Sequence, residues 1–193
     1  RGTESVPLHL AGDVPETQLI GAPGCFRAAA IESFIPSGHI GWAACWLGTA
    51  RGALADTVTL LRSAGRPATV DHRSDLVSER LARVRMSVEL VSAYLARVTE
   101  EADRARADGV SLDNPSAQIH LNLLKVIGAE LTFDAVERLI GVVGMRLGYL
   151  ENTQVPLERH LRDLKSASLN YADDRLLVAT GALSWLDRAV RLA

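Results

Sequence analysis

The sequence predicts a mainly α protein, an antiparallel four-helix bundle preceded by a short β-segment, and three observations carry that prediction. From Phe26 onward, apolar and small residues recur at three- and four-residue spacing over long tracts. The breaks between tracts are short and rich in Pro and Gly, as in "AGRPATVDHRSD" and around Asn114-Pro115, so consecutive helices must run back along one another. Each tract carries an apolar stripe, and such stripes are stable in water only when buried against each other.

In the opening "SVPLHLAGDVPETQLIG", Val6, Leu8 and Leu10 alternate with other residue types, which reads as one or two strands closed by turn chemistry at Gly12-Asp13 and Val14-Pro15. A first helix is predicted from Phe26 to Leu61, kinked near Pro36. Its Gly38, Gly41, Gly48 and Gly52 each cost roughly 1 kcal/mol against alanine, so a closely approaching backbone is expected to offset them. Ser74 or Asp75 caps the second helix, which carries Leu76, Leu81, Val84, Val88, Val91 and Leu95 on one side and ends in charged sequence before Gly109. Asn114-Pro115 opens the third, with Ile119, Leu123, Val126, Ile127, Leu131, Val136, Leu139 and Ile140 at helical spacing. The fourth region follows Pro156, in two parts around Asn170-Tyr171.

The chain has 193 residues and is 48% hydrophobic, enough for one sizeable core and too short for two comfortable domains. Lys+Arg 21 against Asp+Glu 23 gives a net charge of -2, which argues against nucleic acid as a partner. Cys25 and Cys45 lie in apolar sequence without metal-ligand spacing, so reduced buried thiols in a cytoplasmic protein are expected, with no metal site. "GHIGWAACWLGTARGALA" is bracketed by His39 and Arg51 and is shorter than the ~20 residues a bilayer requires; it reads as a buried helix, with no membrane partner. His39, His72, His120 and His160 form no triad or ligand pattern. The first residue is Arg1 and no signal segment follows it, so a piece cut from a longer chain is expected.

Three stretches, in order, resemble the acyl-CoA dehydrogenase family in a divergent form. "RGTESVPLHLAGDVPETQLIGAPG" resembles the last strands of the family's middle β-domain. "ERLIGVVGM" is similar to its Gln-Ile-His-Gly-Gly-x-Gly-Tyr stretch, and "PLERHLRDLKSA" resembles its Pro-x-Glu-Arg-x-x-Arg-Asp signature. The resemblance implies that residues 1–24 are the remnant of a middle β-domain, that residues 25–193 are the C-terminal four-helix-bundle domain, and that the N-terminal helical domain is missing. It also implies FAD as cofactor, an acyl thioester on CoA or a carrier protein as substrate, α,β-desaturation as the reaction, and a homo-oligomer (dimer or tetramer) or heteromer formed through the bundle. Glu158, Arg159, Arg162 and Asp163 would then be an ion-pair network that docks the penultimate helix.

The same resemblance points to site residues. The family's usual base is the Glu of a Tyr-Glu-Gly-Thr-like turn, matched here by Tyr171-Ala172-Asp173-Asp174 with alanine in the slot. Asp173 or Asp174 is the candidate base there, against the plainer reading that both cap the last helix. Glu32 lies within one residue of the alternative position some members use. Arg62 or Arg66 stands for the arginine that meets the partner subunit's flavin pyrophosphate, while Gly141, Gly144 and Tyr171 are cofactor-side positions. Helix packing would explain the same glycines. Two other readings stay open: a flavin monooxygenase of the amino-sugar N-oxygenase kind, which Ala172 favours, and a non-catalytic subunit of a heteromeric dehydrogenase.

Overall fold

The structure is a computed structural model that describes residues 6–66, 68, 70–150 and 153–193. A 3-10 turn (Glu16–Gln18) leads into α1 (Phe26–Ala29), a π-helical turn (Ala30–Phe34) and α2 (Ile35–Arg62), which run as one continuous rod. α3 (Asp75–Asp108), α4 (Pro115–Val143), α5 (Met145–Gly148), α6 (Leu157–Leu169) and α7 (Asp173–Ser184) complete the chain. The bundle is α2, α3, α4 and the broken rod α6–α7.

Local chemistry sets the ends of these rods. The Ser74 side chain accepts from the Leu76 amide at 3.3 Å and Asn114 from the Ala117 amide at 3.0 Å, each satisfying an orphan donor of a first turn. Gly109, at φ 65, closes α3 in the left-handed conformation. Pro36 does not stop its helix. A proline ring collides with the carbonyl four residues back, here that of Glu32, and the widened π turn immediately before it supplies the room.

α4 is the middle of the molecule, packing against α2, α3, α6 and α7. It is therefore buried almost all round, as a helix with little amphipathicity should be. Leu47, Val84, Val91, Val136, Leu139, Leu157 and Leu164 form the main core. At the α2–α4 crossing a Cβ on Gly128 would lie 3.2 Å from the Ala43 Cβ and 3.3 Å from its Cα. Gly128→Val is expected to lower stability by about 1–3 kcal/mol through overpacking, read by chemical denaturation against the parent.

Four sequence expectations change. Residues 6–15 form no strand, and no strand occurs among the described residues. A lone extended segment has no edge with which to pair its N–H and C=O groups, and residues 1–5 of the proposed β-segment lie outside the described residues. Gly41, Gly48 and Gly52 meet nothing within 4 Å, so no backbone among the described residues approaches them. Cys25 and Cys45 are free and exposed rather than buried, because Cys45 shares that outward face and Cys25 precedes α1. Finally, Arg162–Glu158 at 3.2 Å and Arg159–Asp163 at 3.9 Å run along α6 itself. Such i,i+4 pairs contribute only about 0.3–0.5 kcal/mol each; α6 docks instead through buried Leu157, Leu164 and Ala167.

Among the described residues, no helix is long and apolar enough to cross a membrane.

Candidate functional site at the α6–α7 turn

The turn between α6 and α7 is where sequence and structure concentrate chemistry. Asn170 leaves the helical conformation, Tyr171 adopts φ 57, and α7 restarts at Asp173. A non-glycine residue at positive φ is uncommon and persists only where its surroundings hold it. Tyr171 is exposed.

Beneath the turn lies Lys125 of α4, fully buried. Its Nζ donates to Asp173 Oδ1 at 2.5 Å and to the Ala167 carbonyl at 2.8 Å, and lies 5.7 Å from the Trp46 ring centroid. Ala167 is in the last turn of α6, whose carbonyls lack helical partners. The ammonium thus meets the negative end of α6 while Asp173 meets the positive end of α7, the favourable arrangement at both. A buried charge is tolerated only when paired and hydrogen-bonded, and Lys125 has both kinds of partner. Burial pushes the Asp173 carboxyl above the usual carboxylate range, against the pull of Lys125 and with Asp174 adding to the rise. Asp173 Oδ2 is buried without a hydrogen-bond partner among the described residues.

His39 of α2 completes the buried polar set. Its Nδ1 lies 3.0 Å from the Leu121 carbonyl, which fixes the ring as an Nδ1–H donor. Burial lowers its pKa to about 4, opposed by the Leu121 hydrogen bond and assisted by repulsion from Lys125. The imidazole is therefore neutral at physiological pH. Its centroid is 5.9 Å from Trp42 and 6.1 Å from Tyr171, and Trp42 stacks on Trp46 at 6.3 Å. Residues 39, 42 and 46 thus place an aromatic strip of α2 beside the turn.

The other candidates lie elsewhere. Asp174 is one residue beyond Asp173, exposed in the first turn of α7, and accepts from the Arg175 amide at 2.8 Å. Glu32, in the π turn, accepts from the Ser111 hydroxyl and from the Leu112 amide at 3.2 Å. Beside it Arg27 grips Asp113 at 2.7 and 3.0 Å; together these contacts tie the start of the first rod to the α3–α4 loop. Arg62 and Arg66 are at the opposite end, ~45 Å of helix away at 1.5 Å per residue, exposed and in no ion pair among the described residues. The Gly141 carbonyl, toward the C-terminal end of α4, accepts from Arg80 at 2.5 Å. Gly144, at φ 78, separates α4 from α5 with nothing within 4 Å of its missing Cβ. The structure thus joins Tyr171 and Asp173, gathers Arg62, Arg66, Gly141 and Gly144 at one end, and leaves Glu32 at the other.

Sequence reasoning missed Lys125, His39 and Arg80. Lys125 had a signal, being the only charged residue side chain of Asp/Glu/Lys/Arg type between Pro115 and Ala129; a lone cation in a buried helix demands a counterion. His39 with Trp42 and Trp46 falls on one helical face. Arg80 carried no signal in its own neighbourhood.

Comparison with known proteins gives three findings. The family described as "Acyl-CoA dehydrogenase, C-terminal domain" matches residues 40–171. The human "Very long-chain specific acyl-CoA dehydrogenase, mitochondrial" is 26% identical over 152 residues, covering 79% of this chain and 21% of that protein. The structure of butyryl-CoA dehydrogenase from Megasphaera elsdenii aligns with a TM-score of 0.68 at 22% identity, over 88% of this chain and 41% of that one. The chain therefore spans about a fifth of the length of the curated relative and two-fifths of the solved structure.

Proposed function

Since the chain belongs to the acyl-CoA dehydrogenase family, through its C-terminal domain, we propose that it supplies the helical wall of a flavin-dependent acyl-thioester dehydrogenase. The observation that carries this reading is the exposed Tyr171–Ala172 turn set over the buried Lys125–Asp173 pair, at the position where the resemblance puts the base. The whole reaction, its FAD and its acyl thioester belong to the longer assembly that this stretch of chain would complete.

The residues present suit a flavin. Tyr171 and the turn offer a flat wall for the ring system, and Arg62 and Arg66, at the other end of the bundle, exposed and in no ion pair among the described residues, suit the pyrophosphate oxygens of a flavin held by a partner subunit. The open backbone at Gly144 allows close approach. When bound, the flavin supplies the acceptor for the β-hydrogen of the acyl chain. This chain's own task is to receive the α-proton, and a carboxylate does so once the thioester carbonyl acidifies that carbon in a dry pocket.

Of the three carboxylates, Asp173 is committed to Lys125 and Glu32 to the α3–α4 loop; Asp174, exposed two residues past Ala172, is the base we propose. Asp174→Asn is expected to slow α-proton exchange of a bound acyl-CoA by about 10²–10⁴-fold, whereas Glu32→Gln leaves the rate near the parent's; deuterium wash-out followed by mass spectrometry reads both. Equal exchange in the parent and Asp174→Asn would remove Asp174 from the reaction.

The dehydrogenase reading is tested on the intact polypeptide: flavin that copurifies and is bleached by an acyl-CoA without oxygen supports it. Ala172 in the base slot and two engaged carboxylates favour a second reading, a flavin monooxygenase on the same scaffold. Oxygen consumption driven by reduced flavin, without acyl-CoA bleaching, would support that one. The absence of flavin with any natural partner present would leave a non-catalytic subunit. Assembly through the bundle is part of the proposal. The outward Gly41, Gly48 and Gly52 support it, since the close approach they permit is unused among the described residues. Cytoplasmic placement is likewise proposed, against a relative whose printed name is mitochondrial.

A further inference from the structure

The buried Lys125 contacts two helices that the chain has to break between. One hydrogen bond goes to Ala167, the end of α6, and the other to Asp173, the start of α7. Only five residues separate Ala167 from Asp173 in sequence, and they include Tyr171 at φ 57. Asn170 is the one local stop signal there, since Ser166 to Ala172 contains neither glycine nor proline, and it ends α6 without fixing the conformation of the turn that follows. The break needs an external hold. A single ammonium that satisfies an orphan carbonyl on one side and a carboxylate on the other supplies it, and it sits on α4, the most buried helix of the bundle.

From this geometry we propose that Lys125 is a positioning residue: by gripping Ala167 and Asp173 together it fixes the α6–α7 turn, and so presents Tyr171, Ala172 and Asp174 in one conformation. Asp173 is then the counterion of the clamp. The Trp46 ring lies beside the ammonium, 5.7 Å from Nζ to its centroid. The consequence for flavin chemistry rests on the dehydrogenase reading above; the consequence for the turn does not.

The test separates clamping from mere neutralisation of a buried charge. In the intact polypeptide, Lys125→Met strands Asp173, while the paired change Lys125→Met with Asp173→Leu removes both charges and refills the space with apolar groups, a replacement that proteins often accept without loss of stability. The paired variant is expected to melt close to the parent, yet to exchange the amides of residues 168–173 at least about tenfold faster relative to those of α4. Acyl-CoA bleaching of its flavin should slow by about tenfold or more, with a smaller change in apparent substrate affinity. Parent-like exchange and bleaching in the paired variant would overturn the proposal. If the parent itself is not bleached by acyl-CoA, the dehydrogenase reading fails and amide exchange alone decides: faster exchange sustains the clamp and unchanged exchange refutes it. Should the paired variant not fold, Lys125→Gln, which keeps a polar side chain but cannot span both partners as an ammonium does, is read by the same exchange measurement and the same criterion.

Discussion

Replacing Lys125 with methionine alone is expected to lower the stability of the chain by about 3–5 kcal/mol near neutral pH, the usual consequence of leaving one member of a buried ion pair without the other. Methionine matches the lysine stem in length, so little cavity forms and the loss is electrostatic. Asp173 is left with both oxygens buried, and the Ala167 carbonyl loses its donor. The carboxylate has one escape, protonation, which burial already favours. The deficit should therefore shrink on acidification, and denaturation curves of parent and variant taken near neutrality and at about pH 5 should converge. A deficit independent of pH would mean that Asp173 is not the stranded group.

The second large effect is a pH dependence centred on His39. Its pKa is lowered from 6.5 to about 4 in the folded chain, so the unfolded chain takes up a proton first as pH falls. Unfolding is thereby favoured progressively between about pH 6.5 and pH 4. Above that window the ring is neutral in both states and the effect vanishes. At one pKa unit per 1.36 kcal/mol, the full change amounts to ~3 kcal/mol. His39→Gln keeps a donor for the Leu121 carbonyl and cannot titrate, so its stability should fall less steeply than the parent's across this window, the remaining slope of that sign coming from His160, whose pKa burial also lowers. Asp173, whose carboxyl is raised, contributes a slope of the opposite sign at the acid end in both proteins. Parallel stability curves for parent and His39→Gln would exclude His39 as the source.

Much of the fold can be read in the sequence because its local signals agree with one another. Ser74, Asn114 and Gly109 mark helix ends, and the Asn170-Tyr171 break divides the last rod as predicted. What escaped reading was anything that depends on a partner. The alternation of Val6, Leu8 and Leu10 suits a strand, but a strand exists only where another edge accepts it. The glycines of α2 announce close packing without saying against what, and the charges of α6 answer each other along the helix rather than across it. The site was half visible: Asp173 and Tyr171 come from the turn motif, whereas Lys125 lies 48 residues earlier, and only the crossing of α4 under the turn joins them.

The π turn at Ala30–Phe34 sets the phase of the first rod. Such a turn is a helix carrying one surplus residue, so the side chains before it are phased by ~100° from those after it. Deleting a single residue there should restore a regular helix and swing Phe26 and Arg27 round the axis, releasing Arg27 from Asp113 while leaving everything beyond Pro36 undisturbed. One residue of slack in the register of the first rod is thus stored at the turn that carries Glu32.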